Sequence, residues 1–169
     1  MAEQEPQAEA MYEVEDAAIL PWAEATGRMA DTGTSWLATV RPDGRPHVVP
    51  LGAVWWEGAV YFTSGQGTRK RANLAQNPHC VIAFSSRDFD VMIEGDAALL
   101  RDAAKLERLA EIYRAQGWPA TARDGAFDAP FSAPTTGPAP YDVYEMTPTA
   151  AFALGTTEET VRLCTRYRF

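Results

Sequence analysis

Cysteine and histidine are scarce, with two of each in 169 residues. Cys80 and Cys164 show no CxxC spacing, and neither His47 nor His79 stands at metal-ligand spacing from them. No zinc or haem site is therefore assigned, and the cysteines read as small buried hydrophobes. No apolar run approaches membrane-spanning length. The N-terminus lacks a basic segment followed by an apolar stretch, and no G-x-S-x-G elbow frames a nucleophile. These absences argue against a membrane protein, a secreted protein and an acyl-transfer hydrolase, and leave a reducing cytoplasm as the expected compartment. Basic residues are also in deficit: 15 Lys and Arg face 23 Asp and Glu, for a formal charge of −8. Sequence-independent nucleic-acid binding needs a basic surface to displace counterions and is excluded. A local cluster of cations must then serve something small.

What is present is 46% hydrophobic residues, enough for one well-filled core. Residues 1–15 are expected to form a flexible acidic tail and residues 16–169 a single domain. A short helix is expected from Leu20 to about Thr32, with Pro21 near its first turn and Gly33 past its end. Trp36 to Arg41 reads as a strand closed by the Pro42-Asp43-Gly44 turn. His47 to Trp56 is apolar on both faces, yet it contains Pro50, which cannot donate to a ladder, and Gly52, which packs no side chain. That strand should hold a bulge, an edge, or a place where something flat lies against the backbone.

Ala59–Ser64, Cys80–Ser85 and Val91–Leu100 follow as strands, with Gly95 a candidate bulge. Leu106, Leu109, Ala110 and Tyr113 recur at offsets of three and four and mark an amphipathic helix from Asp102 to Gln116, ended by Gly117. Trp118–Pro140 carries five of the twelve prolines and reads as a long ordered loop or lid, whose Trp118 either borders a pocket or packs the surface. Tyr141–Thr147, Ala151–Leu154 and Val161–Phe169 complete the set. Eight short strands against two to four helices predict a mainly β fold with α decoration, a closed antiparallel barrel.

The densest chemistry lies at Gly65-Gln66-Gly67, followed by Thr68-Arg69-Lys70-Arg71. Thr68 is a good N-cap for a helix running to Asn77-Pro78. Three cations would then occupy a first turn whose dipole already disfavours positive charge. Backbone N–H groups, a hydroxyl and two or more cations suit a phosphate or polycarboxylate. A solvated basic helix end paired with surface carboxylates fits the charge pattern equally well.

The order HVVPLGAVWWEGAVYFTS, then GTRKRANLAQNP, then IEGDAAL resembles the pyridoxamine 5′-phosphate oxidase superfamily of split-barrel flavoproteins, over about Trp36 to Leu100. That superfamily includes flavin and deazaflavin oxidoreductases using FMN or F420. Some small actinobacterial members also end in a sequence like the TRYRF at Thr165–Phe169. The resemblance implies an FMN-binding split barrel in which Thr68, Arg69 and Lys70 hold the cofactor phosphate. Thr63 and Ser64 would hold phosphate or ribityl oxygens, and His47, Val48, Val49 and Pro50 would lie along the isoalloxazine edge. It further implies a homodimer with the cofactor at the subunit interface, where Arg166, with Tyr167 and Arg168, would reach the partner's site.

The sequence departs from pyridoxamine phosphate oxidases proper at two places. Met92 and Asp90 stand where those enzymes carry polar or basic residues ahead of the strand-end Glu-Gly, and the C-terminal Arg-x-His pair is missing. Oxidation of pyridoxamine phosphate is not expected. The expectation is an FMN-dependent oxidoreductase acting on a small-molecule substrate, with F420 as the alternative cofactor and Arg71 and Arg45 available to its poly-glutamate tail. A non-catalytic flavin or haem carrier of the same fold is the rival reading. No catalytic acid or base is assigned, because hydride chemistry belongs to the cofactor.

Overall fold

A computed structural model of the chain describes residues 5–13, 16–30 and 32–169. Its elements in chain order are β1 (Gln7–Ala10), α1 (Trp22–Ala30), β2 (Ser35–Val40), β3 (Pro46–Leu51), β4 (Ala53–Trp56), β5 (Ala59–Gly65) and α2 (Arg69–Leu74). β6 (His79–Ser85), β7 (Phe89–Leu99), α3 (Ala103–Ala115), β8 (Thr121–Arg123), β9 (Ala126–Asp128), β10 (Tyr141–Gly155) and β11 (Thr165–Arg168) follow, with a 3-10 turn at Val161–Leu163 before the last.

The ladders close a ring. β2 pairs β6, β6 pairs β7, β7 pairs β10, β10 pairs β5 and β5 pairs β4, all antiparallel. β3 pairs β2 and runs into β4 through Gly52, so one stretch of chain serves opposite sides of the barrel and changes partners at that glycine. The irregularity expected from Pro50 and Gly52 is this split. The antiparallel split barrel is therefore the observed fold, with three α-helices among the described residues. None of them is long and apolar enough to cross a membrane.

Alternation along the strands explains two cores. Leu37, Val60, Phe62, Ile82, Phe84, Val91, Ile93 and Met146 fill the barrel, and Trp22, Ala25 and Met29 pack α1 onto the same cluster. The opposite faces of β4, β5 and β10 meet α3, whose Leu106, Leu109, Ala110 and Tyr113 are all buried as the helical period requires. Asp102 accepts a hydrogen bond from the Lys105 N–H and caps α3, while Gly117 leaves it at φ +92°. Cys80 and Cys164 are both buried and free, and burial pushes the Cys80 thiol up to about 12.

Several boundaries differ from expectation. Residues 1–4 and 14–15 of the expected tail lie outside the described residues, but Gln7–Ala10 form β1, antiparallel to β11. Opposite charge assists that pairing, since Glu9 accepts from Arg168 at 2.9 Å and lies 3.4 Å from Arg166. The bulge assigned to Gly95 belongs to the facing strand: register shifts between Pro148 and Ala150 of β10, so Tyr141–Gly155 is one long bent strand. Val161–Leu163 is a 3-10 turn rather than the start of the last strand. Within the expected lid, Thr121–Arg123 and Ala126–Asp128 form a small hairpin that turns through Asp124-Gly125.

Candidate functional site

A groove of about 1350 Å3 runs along the β3–β4 strand. α1 forms one wall, the Gly67–Lys70 loop another, and the C-terminal end of α3 with residues 131–136 a third. Of the residues expected to bind a cofactor, His47, Val49, Pro50, Thr63, Thr68, Arg69 and Lys70 all line it. Three do not. Val48 turns its side chain to the outer face, 54% exposed. Ser64 is fully buried and bonds the Thr68 hydroxyl at 2.6 Å, so it supports the loop from behind. Arg166 is held by Glu9 and lies over the Phe152 ring, outside the groove.

The loop geometry also departs from the expected cap. Thr68 has N-cap backbone dihedrals, but its hydroxyl donates to the Gly65 carbonyl at 2.9 Å instead of capping the helix. α2 itself spans six residues, too short for its dipole to dominate. The positive character of this end therefore comes from side chains. Arg71 is withdrawn from it: its Nε donates to Asp142, a carboxylate only 4% exposed in its side chain, at 2.5 Å. Arg45 is likewise paired with Asp43. The two arginines expected to serve a poly-glutamate tail are thus engaged by the protein's own acids.

Arg69 and Lys70 differ from them. Among the described residues neither has an acidic partner, and no described Asp or Glu lines the groove. Burial alone holds the Lys70 ammonium below its usual range, the signature of a cation desolvated without compensation. His47 stands in the same field. Burial, then Arg41, Arg69 and Lys70, hold its imidazole below the ordinary histidine value, and its Nδ1 is buried without a hydrogen-bond partner among the described residues. The Nε of Arg41 is orphaned in the same way. An anion seated in the groove would meet Arg69 and Lys70 from α2 and His47 from β3.

That field has a consequence for stability. With a folded-state pKa below 6.5, His47 takes up a proton more readily when unfolded, so its contribution is lost as pH falls below about 6.5. His47→Gln is expected to flatten the stability profile below pH 6.5, and parallel denaturant titrations between pH 5 and 8 measure it. An unaltered slope would show that neither burial nor those cations shift His47.

Trp118 borders the groove and also packs: its Nε1 donates to the Phe131 carbonyl at 2.7 Å and its ring meets Tyr113 and Tyr141. Sequence reasoning missed the α1 wall of Ala23, Thr26, Gly27 and Ala30, although an interior helical glycine was the available signal. It did not single out Arg41 either, whose charge acts on His47 from outside the groove lining and which no motif distinguishes from other turn residues.

A family model described as pyridoxamine 5′-phosphate oxidase matches residues 22–155. Among solved structures, a NimC/NimA family protein from Clostridium acetobutylicum is similar at TM-score 0.64 and 18% identity, covering 87% of this chain and 91% of that one. General Stress Protein 26 from Bacillus anthracis str. Sterne is similar at TM-score 0.56 and 15% identity, covering 78% and 91%. An F420 reductase is similar at TM-score 0.50 and 22% identity, covering 74% and 93%. Among curated proteins none matches.

Proposed function

Starting from a chain that belongs to the pyridoxamine 5′-phosphate oxidase family, we propose that it binds a phosphate-bearing flavin-type cofactor and works as an oxidoreductase. FMN is the cofactor preferred and F420 the alternative. The observation that carries this reading is the pair Arg69 and Lys70, unneutralised in a groove without a described acidic residue. The described acids sit elsewhere, and a surface-paired basic helix end does not account for that pattern. The residues suit the group. Arg69, Lys70 and the Thr68 hydroxyl would hold the phosphate, Thr63 the adjoining oxygens, and the β3 strand around Pro50 would lie along the ring system.

When bound, the cofactor supplies hydride transfer to or from a small organic substrate. The chain's own part is to bind, orient and exclude water. Lys70 and Arg69 fix the anionic end, α1 and residues 131–136 flank the groove, and Trp118 ties the latter segment to α3 through Phe131. His47, held below the ordinary histidine value by burial and then by its cationic neighbours, lines the same end as a neutral polar group. The engagement of Arg71 by Asp142 and of Arg45 by Asp43 removes the sequence-based support for a poly-glutamate tail and favours FMN. The outer face of β2 and β3 leaves Trp36 and Val48 about half exposed, and a second copy of the chain covering it would make the expected homodimer.

A visible spectrum of the purified protein, titration with FMN and with F420, and light scattering on the same sample test the proposal. Binding of FMN at low-micromolar concentration by a dimer, followed by bleaching with a nicotinamide or artificial hydride donor, is expected. At ~100 times its dissociation constant, FMN should add about 2.7 kcal/mol to stability. A colourless protein whose melting temperature neither cofactor raises would overturn the assignment. A bound cofactor that no donor reduces would identify a carrier instead.

A further inference from the structure

The chain has twelve glycines, and their placement separates by cause. Five have φ near +80° to +92°, which a side chain resists. Three others face backbone so close that a Cβ would come within 2.2 Å of it. The remaining four are Gly27, Gly33, Gly52 and Gly67. None has positive φ, and a Cβ on any of them would meet no described atom within 4 Å. All four line the groove. Neither a positive φ nor a close neighbour requires glycine at these four positions, and one of them, Gly27, lies inside α1, where glycine is destabilising relative to alanine. Open space exists at each, and it opens into one cavity.

The cavity is also larger than one ligand needs. Small-molecule pockets run to roughly 1000 Å3, whereas this groove holds about 1350 Å3. Its two ends differ in chemistry. Arg69 and Lys70 sit by His47 at the start of β3, and α1 packs on β4. From His47 to Ala53 an extended chain advances roughly 20 Å at about 3.3 Å per residue. The α1 end is walled by Ala23, Gly27, Ala30 and Trp55, with no charged side chain among the described lining residues apart from Arg69 and Lys70 at the other end.

We infer that the groove is built for two molecules: beside the cofactor, the compartment between α1 and Trp55 takes an uncharged, flat, largely apolar substrate, and Gly27 sets its width. The inference rests on the cofactor reading, because the anionic end must be filled by the cofactor phosphate for the apolar end to select a neutral partner. A charged substrate such as a phosphorylated amine finds no counter-charge among the described groove-lining residues of α1. A bulky aliphatic side chain at Gly27 closes the slot without touching the cationic end.

Gly27→Leu and, independently, Ala30→Leu test this in the full chain. The probe is menadione, an uncharged bicyclic quinone, with its sulfonate as the charged comparison. Binding to cofactor-loaded protein is read by quenching of tryptophan emission, and cofactor dissociation constants are measured alongside. The expected result is menadione binding by the parent in preference to the sulfonate, a loss of at least tenfold in each leucine variant, and cofactor affinity within about twofold of the parent. Gly27→Ala should keep menadione binding and raise the melting temperature. Cofactor binding without menadione binding, or unchanged menadione affinity in both leucine variants, overturns the compartment and spares the cofactor site. Failure of both FMN and F420 to bind the parent overturns the underlying reading, and the compartment with it.

Discussion

Replacing Lys70 by methionine is expected to weaken FMN binding by about 2 kcal/mol, roughly 30-fold, while leaving the cofactor-free protein more stable than the parent. The two effects have opposite signs for one physical reason. A charge-assisted contact to phosphate contributes about 1.5–3 kcal/mol, and methionine removes it. In the free protein the same ammonium is half-buried with no acidic partner, so its folded-state pKa lies below its unfolded value. The unfolded chain therefore binds the proton more readily, and folding is penalised at every pH below the folded pKa. The penalty fades as pH rises through the folded pKa towards 10.5, so the parent should gain on Lys70→Met in that alkaline window. Thermal melts with and without FMN, at pH 7 and pH 10, measure all of this. Arg69 is more exposed, so Arg69→Ala should cost about half as much in affinity with little change in the free protein. A lower melting temperature for free Lys70→Met, or an unchanged dissociation constant, would show that Lys70 is a structural cation rather than a phosphate ligand.

What the sequence carries and what only the fold supplies differ in their range along the chain. The motif Gly67-Thr68-Arg69-Lys70 announces a cationic loop, and Pro50 with Gly52 announces an interrupted strand. Both are local facts, legible because proline, glycine and runs of charge act over a few residues. The period of three and four in α3 and the alternation in β6 and β7 are local in the same sense. Which of three adjacent cations stays available is not local. Arg71 is neutralised by Asp142, 71 positions away and buried between strands, and Arg166 by Glu9, 157 positions away. β1 was hidden for a related reason: its four residues are all exposed and show no alternation, and only the edge of β11 gives them a partner. The hairpin of β8 and β9 has three residues a strand, too few for a period to be seen.

Glycine in a strand is the most ambiguous signal of these, and Gly95 illustrates it. A strand glycine marks either a bulge in its own strand or a close approach by a neighbour. At Gly95 it is the second: the extra residue lies in β10, and the distortion presses that strand's backbone onto β7. A Cβ here would stand 2.2 Å from the Thr147 carbonyl oxygen and 3.0 Å from its carbon. Neither atom can swing aside, because β10 is bonded on this side to β7 and on the other to β5 and β11. Gly95→Ala should therefore cost about 3 kcal/mol, at the upper end for overpacking, and lower the melting temperature by about 6–12 °C. Gly65 offers the contrast. Its Cβ would come 1.9 Å from the Thr136 carbonyl, a closer clash, yet Thr136 belongs to an irregular segment beside the groove that can move away. Gly65→Ala should lose less stability and more cofactor affinity, since the displaced segment is a groove wall. Calorimetry on both variants with FMN titrations alongside decides between these accounts. Equal melting temperatures for the two would mean that the β7–β10 ladder yields as readily as a loop, and that the barrel is not the rigid frame on which the groove depends.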